Sequence, residues 1–232
     1  TAMIVGARKE AGGGVREGWS VFRGTQNLVG LFSFEDNTTP KPEEILDKRG
    51  IFDDYNGKCN YQITTGVVGN FDTEGWGVIK YTNLTSTGEP GQDVLWVDTD
   101  FPLFRLGDVY LMYAEAVARG GEGGDINTAV GYVNELRDRA YGETPHNKID
   151  AAWLTANNYQ NILDERGREL YWEGVRRIDL IRFGKYTSSS YTWPAKGGVI
   201  TGVGVNERYN IFPIPISDIS VNGSLEQNEG YK

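Results

Sequence analysis

The alternation of apolar and polar positions is helical through the middle of the chain and irregular before it. Leu106, Val109, Tyr110, Tyr113, Ala116 and Val117 recur at the spacing that gathers side chains on one face of an α-helix. The pattern predicts a helix from about Phe104 to Arg119, with Pro102 suited to its first turn because proline has no N–H to leave unpaired. The run Gly120-Gly121-Glu122-Gly123-Gly124 ends it and allows the chain to reverse. Asp125 then has the chemistry of an N-cap, and Ala129, Val130, Val133, Leu136 and Ala140 line one face of a second helix. Two helices joined by so short a turn form an αα-hairpin, a unit that buries its apolar face by stacking on others.

A loop with Pro145 and the single histidine, His146, follows. A third helix is predicted from about Asn158 toward Phe183, with Leu163, Leu170, Ile178 and Ile181 as its stripe and Gly167 and Gly174 inside it. Each interior glycine costs about 1 kcal/mol relative to alanine, and close backbone packing is the one reason on hand. The remaining faces carry Glu165, Arg166, Arg168, Glu169, Glu173, Arg176, Arg177, Asp179 and Arg182, with Glu173 and Arg177 at i, i+4 spacing. Charge of this density is expected to be a solvated or ion-paired face rather than chemistry. The segment Ile211-Phe212-Pro213-Ile214-Pro215-Ile216 reads as extended, since each proline moves its predecessor away from helix, and is expected to bury its isoleucines across the helices.

Residues 1–100 have a different texture, loop-rich with short strands and one or two helices. Tyr61-Gln62-Ile63-Thr64, Gly77-Val78-Ile79-Lys80-Tyr81 and Val94-Leu95-Trp96-Val97 are strand candidates, with a helix near Thr25 to Phe34 and a turn opening at Pro42. The expected class is therefore mainly α, with tetratricopeptide-like helix pairs in residues 101–232 and the irregular region of residues 1–100 joined to them in one domain.

Composition narrows the function. The net charge of -9 argues against nucleic acid as a partner, because phosphate binding needs a basic surface. The lone Cys59 excludes an intrachain disulfide and a thiolate zinc cluster. No Ser-in-glycine elbow, histidine–glutamate zinc motif or phosphate-cradling loop is present. Close acidic pairs such as Asp98 with Asp100 are expected by chance among 32 acidic residues, so a glycoside hydrolase fragment is disfavoured. Asp93, Asp98 and Asp100 are oxygen ligands in kind but lack EF-hand spacing, and no metal or cofactor is expected.

Sugar binding asks for flat aromatics over the C–H face of a ring and polar groups at its rim. The irregular region holds Trp19, Tyr55, Tyr61, Trp76, Tyr81 and Trp96, on the loop-rich ground where binding residues tend to lie. Trp76, between Gly75 and Gly77, is the first candidate; Trp19, Tyr55 and Trp96 follow, with Arg23 and Asn56 as hydroxyl partners. The alternative reading is a helical-repeat protein–protein adaptor without sugar binding, which the hairpin pattern alone would support.

Four segments in order resemble the SusD/RagB family of bacterial outer-membrane nutrient-binding lipoproteins. They are Gly24-Thr25-Gln26-Asn27-Leu28-Val29-Gly30-Leu31-Phe32 after Gly18-Trp19; the helix-opening run from Asp100 to Ala116 preceded by Val97-Asp98-Thr99; Glu165-Arg166-Gly167-Arg168-Glu169-Leu170 through Arg176-Arg177 to Phe183-Gly184; and Pro213-Ile214-Pro215 through Gln227-Asn228-Glu229-Gly230-Tyr231. The resemblance implies a helical core, capture of oligosaccharide or polysaccharide without catalysis, and a working complex with a SusC-like TonB-dependent transporter. It also implies a surface-exposed lipoprotein of the outer membrane. Family members are about twice this length and carry a lipidated cysteine near their start, so the chain reads as a C-terminal half whose partner is the N-terminal half of the same protein.

Overall fold

The computed structural model describes residues 7–9, 15–17, 47–49, 52–53, 77–78, 80–81, 83–85, 87–93, 96–98, 100–142, 148–192 and 203–232. Two small antiparallel ribbons precede the helices: β1 (Ala7–Lys9) pairs with β2 (Val15–Glu17), and β3 (Phe52–Asp53) pairs with β4 (Gly77–Val78). Of the strand expected from Gly77 to Tyr81, Gly77 and Val78 are paired while Lys80 and Tyr81 are not in a strand, and Trp96 and Val97 lie in a loop rather than a strand. The strand at Tyr61 to Thr64, the helix near Thr25, the turn at Pro42 and His146 lie outside the described residues.

The body is helical, as expected. Helix α1 (Leu106–Ala118), α2 (Ile126–Tyr141) and α3 (Ala151–Leu170) pack together, and the short α4 (Arg176–Arg182) folds back on α3. Helix α2 follows its sequence closely. Ala129, Val133, Leu136 and Ala140 are buried, and the Asp125 carboxylate caps the helix by accepting from the Thr128 amide at 2.7 Å. The Asp125 amide donates to the Tyr113 hydroxyl at 3.0 Å, which fixes the hairpin turn to α1.

Helix α1 departs from expectation in two ways. It starts at Leu106, so Pro102 lies in the extended lead-in; Arg105, at φ -145 and ψ 158, is the last extended residue, and its guanidinium is held on Glu169 and Glu173. Its buried line is Gly107, Leu111, Ala114 and Glu115. Leu106 and Val109, placed on the buried face by periodicity, are 60% and 46% exposed. The helix is apolar on most sides, so spacing does not single out one stripe; contact with both α2 and α3 does. Tyr110, Tyr113 and Val117 are half-buried against the core, with Tyr110 stacked on Tyr132 at 4.2 Å.

The predicted third helix is two helices with an interruption. Helix α3 has a short first segment from Ala151, with Asp150 accepting from the Trp153 amide at 2.9 Å, and its longer second segment resumes after Tyr159, close to the start expected near Asn158. Asn157, Asn158 and Tyr159 adopt left-handed φ of 51°, 54° and 64°, a conformation asparagine tolerates better than most residues. The Asn161 amide bridges this break by donating to the Trp153 carbonyl at 3.0 Å. The chain then leaves α3 at Tyr171. Gly174, at φ +79, belongs to that turn and not to a helix interior, which removes the apparent helix cost at this position. Leu163, Leu170 and Leu180 are buried, whereas Ile178 is 60% exposed, because the new start of α4 rotates it outward.

The tail contains a 3-10 turn (Glu207–Asn210) and α5 (Ile216–Val221). The stretch 211–215 is extended, but Ile211 and Ile216 are 62% and 79% exposed and only Ile214 is half-buried. The reason is in the backbone. The Gln227 side chain both donates to and accepts from the main chain of Ile214 at 2.9 and 2.8 Å, and Asn228 donates to the Phe212 carbonyl at 2.8 Å. The extended run is thus held by polar side chains of the C-terminal stretch rather than by burial of its isoleucines. Among the described residues no helix is long and apolar enough to cross a membrane.

Candidate functional site

Two features rise from this frame: a buried lattice of charged side chains and a loop that presents a tryptophan. The lattice is built by the segment from Glu165 to Arg182. Glu165, fully buried on α3, lies 2.8 Å from Arg49, 2.8 Å from Arg137 of α2 and 2.7 Å from Arg168. Glu169, one turn later, receives Arg49, Arg105 and Arg139 at 2.5 to 3.1 Å. Glu173 accepts from Arg105 at 2.7 Å and from Lys80. It does not pair with Arg177, which instead donates to the Tyr209 carbonyl at 2.6 Å and lies 4.1 Å from the centre of the Phe212 ring. A second chain runs from Asp108 to Arg166, Asp179, Arg182 and Glu115, and so joins α1, α3 and α4.

Burial alone would raise the Glu165 carboxyl, but the charges of Arg168, Arg49 and Arg137 together outweigh it and hold the group at about 2. Glu169 is opposed by burial in the same way and is also held at about 2, by hydrogen bonds from Arg105 and Arg139 and the charge of Arg105 and Arg49. Both folded values lie below the ordinary 4.5. The stability they contribute is therefore fully present above about pH 4.5 and is lost as pH falls toward about 2. Urea midpoints are expected to be level between about pH 7 and 5 and to fall steeply below about pH 4; a midpoint unchanged at about pH 3 would contradict the lattice.

The tryptophan loop starts from Asn83, a buried polar residue at 4% exposure. Its amide nitrogen donates to the Asp93 carbonyl at 2.9 Å, its amide oxygen accepts from the Asp98 amide at 3.0 Å, and its own carbonyl accepts from the Gly91 amide at 2.7 Å. Asp98 accepts from the Gln92 amide at 2.6 Å, and Asp93 accepts from the Trp96 amide at 3.1 Å. Two of the three aspartates considered as cation ligands, Asp93 and Asp98, thus staple the loop, and among the described residues no group of three or more His, Cys, Asp or Glu is placed to hold a metal. The outcome is a fixed backbone with the Trp96 side chain 76% exposed. Gly91 is required by close approach: a Cβ there would lie 2.3 Å from the Asn83 amide oxygen. Gly91→Ala is expected to displace Asn83 and loosen the loop, seen as faster amide exchange at residues 91–93 and 96–98 with the helices unaffected; unchanged exchange would contradict this geometry.

Of the residues singled out from sequence, Trp96 is placed on this exposed, braced loop. Trp19, Arg23, Tyr55, Asn56 and Trp76 lie outside the described residues. Sequence reasoning missed Asn83 and Gly91, whose signal is weak: a turn-rich stretch in which no single residue stands out.

The sequence model of the SusD family matches residues 5–231. The starch-binding protein SusD of Bacteroides thetaiotaomicron is 41% identical over 186 residues, covering 80% of this chain and 31% of that protein. A SusD-like protein, P25, of Formosa agariphila is 31% identical over 135 residues, covering 56% of this chain and 24% of its own length. A solved SusD superfamily protein from Bacteroides vulgatus aligns over 68% of this chain and 32% of its own, with 28% identity and a TM-score of 0.44. The chain spans less than a third of the length of either curated relative. With the family match running over nearly every residue, the chain belongs to the SusD family.

Proposed function

We propose that this chain is a non-catalytic glycan-binding protein that holds an oligosaccharide for import. The observation that carries the reading is the Trp96 side chain, 76% exposed on a loop fixed by Asn83, Asp93 and Asp98. An exposed indole on a braced backbone is a platform for the apolar face of a sugar ring, and pre-ordering removes part of the entropy cost of binding. The likeness to a starch-binding relative supports an α-glucan as the first ligand to test. Trp76, Trp19, Tyr55, Asn56 and Arg23 are proposed as further contacts from the irregular region, completing the two or three aromatics a weak-contact ligand needs.

The setting belongs to the same proposal. The protein works at the bacterial outer membrane as part of a surface lipoprotein, beside a SusC-like TonB-dependent transporter that takes up the captured glycan. The apolar side of α1 and its lead-in, where Leu103, Phe104 and Leu106 are 78%, 82% and 60% exposed, seats the remaining part of a longer polypeptide.

Titration calorimetry with maltoheptaose tests the binding function. Saturable binding with no reducing ends released on long incubation is expected. No heat of binding for any of a panel of neutral glucans would favour the adaptor reading, and steady release of reducing ends would favour a hydrolase.

A further inference from the structure

A pocket of about 330 Å3, in the size range of small-molecule sites, opens beside the charged lattice and away from the helix core. Its wall includes Lys48, Arg49, Lys80, Arg105 and Arg139 against two carboxylates, Glu169 and Glu173. The imbalance is local and specific. Arg49 is matched chiefly by Asp47 and Glu165, at 2.7 and 2.8 Å, which leaves Glu169 and Glu173 to Arg105, Arg139 and Lys80, with Lys48 beside them. The surplus lies toward solvent. Arg139, whose side chain is 58% exposed, spends Nη2 on both oxygens of Glu169 and keeps Nε and Nη1 for another acceptor, and Lys48 is exposed beside it. This excess of positive charge stands out in a chain of net charge -9.

A second observation comes from Tyr81, in the same wall. Its hydroxyl is buried and has no hydrogen-bond partner among the described residues. A buried hydroxyl left unpaired is costly, and such groups are ordinarily satisfied. Burial first, and the charge of Glu173 second, push its pKa up, so it stands ready as a donor at neutral pH. An unpaired hydroxyl together with the open donors of Arg139 and Lys48 in the wall of one small cavity describes the complement of an oxyanion.

We propose that this pocket binds the carboxylate of an acidic ligand, a uronate being its saccharide form, with Arg139 and Lys48 supplying charge and Tyr81 a hydrogen bond. The uronate form rests on the glycan-binding reading; the carboxylate site does not. It is separate from the Trp96 platform and adds a preference for charged sugar to a surface that otherwise grips neutral rings.

The test is calorimetry on the 232-residue chain with glucuronate, acetate and glucose, repeated on Tyr81→Phe and Arg139→Gln. Tyr81→Phe removes only a hydroxyl that makes no hydrogen bond among the described residues. Glucuronate is expected to bind saturably and glucose not to, and each substitution to weaken glucuronate by about tenfold, as loss of one hydrogen bond to a charged group would. Acetate binding as well as glucuronate assigns the affinity to the carboxylate alone and supports the site. Absence of glucuronate and acetate binding, or equal affinity in all three proteins, overturns it. Maltoheptaose titrated into the same samples separates the two readings: its binding is expected to be unchanged by both substitutions, and its absence alongside glucuronate binding would count against the Trp96 platform and not against this pocket.

Discussion

Glu165→Ala is expected to cost about 3 to 5 kcal/mol of stability, the range for removing one member of a buried ion-paired group. The carboxylate is fully buried and meets Arg49, Arg137 and Arg168, which come from three different parts of the chain. Its removal leaves those guanidiniums without the charge around which they are gathered. For a protein of this size the loss corresponds to a melting temperature lower by roughly 10 °C, readable by calorimetry or circular dichroism. Glu173→Ala is expected to be milder, because Lys80 and Arg105 lie nearer to solvent. Neither change is expected to alter maltoheptaose affinity at temperatures where the protein is folded. A shift of less than about 1 kcal/mol for Glu165→Ala would mean that the lattice is not what holds α2, α3 and residues 47–49 together.

Trp96→Ala is expected to do the reverse. The indole is 76% exposed and contributes little to the fold, so the melting temperature should move by no more than about 1 °C, as surface substitutions do. Maltoheptaose affinity is expected to fall by about thirtyfold or more, the scale of an aromatic hot spot worth about 2 kcal/mol. Trp96→Phe, which keeps a flat ring, should recover part of the loss. A large drop in stability with affinity preserved would make the side chain a packing element and remove it from the site.

These opposite expectations mark what the chain discloses and what it conceals. Helix α2 was legible in full because its polar and apolar residues alternate with strong contrast and Asp125 marks its start. Helix α1 was legible as a helix but not in orientation, since Leu106 and Val109 are as apolar as Leu111 and only packing distinguishes them. The break after Leu170 was hidden because a left-handed Trp172 and a turn glycine sit inside a pattern that continues the helical period. The burial of Glu165 and Glu169 was equally hidden: a run of glutamates and arginines reads the same whether its charges meet water or one another. The loop of Trp96 could be picked out by its aromatic residue, yet its rigidity depends on Asn83 and Gly91, whose roles appear only when their partners, up to fifteen residues apart, are brought together.

Whether a loop-borne indole on a helical frame holds a sugar ring is read out by a crystal structure of the chain soaked with maltoheptaose. A glucose unit is expected with its C–H face against the Trp96 ring and with Asn83, Asp93 and Asp98 unmoved. Glucan bound elsewhere, with Trp96 bare to solvent at full ligand occupancy, would contradict it.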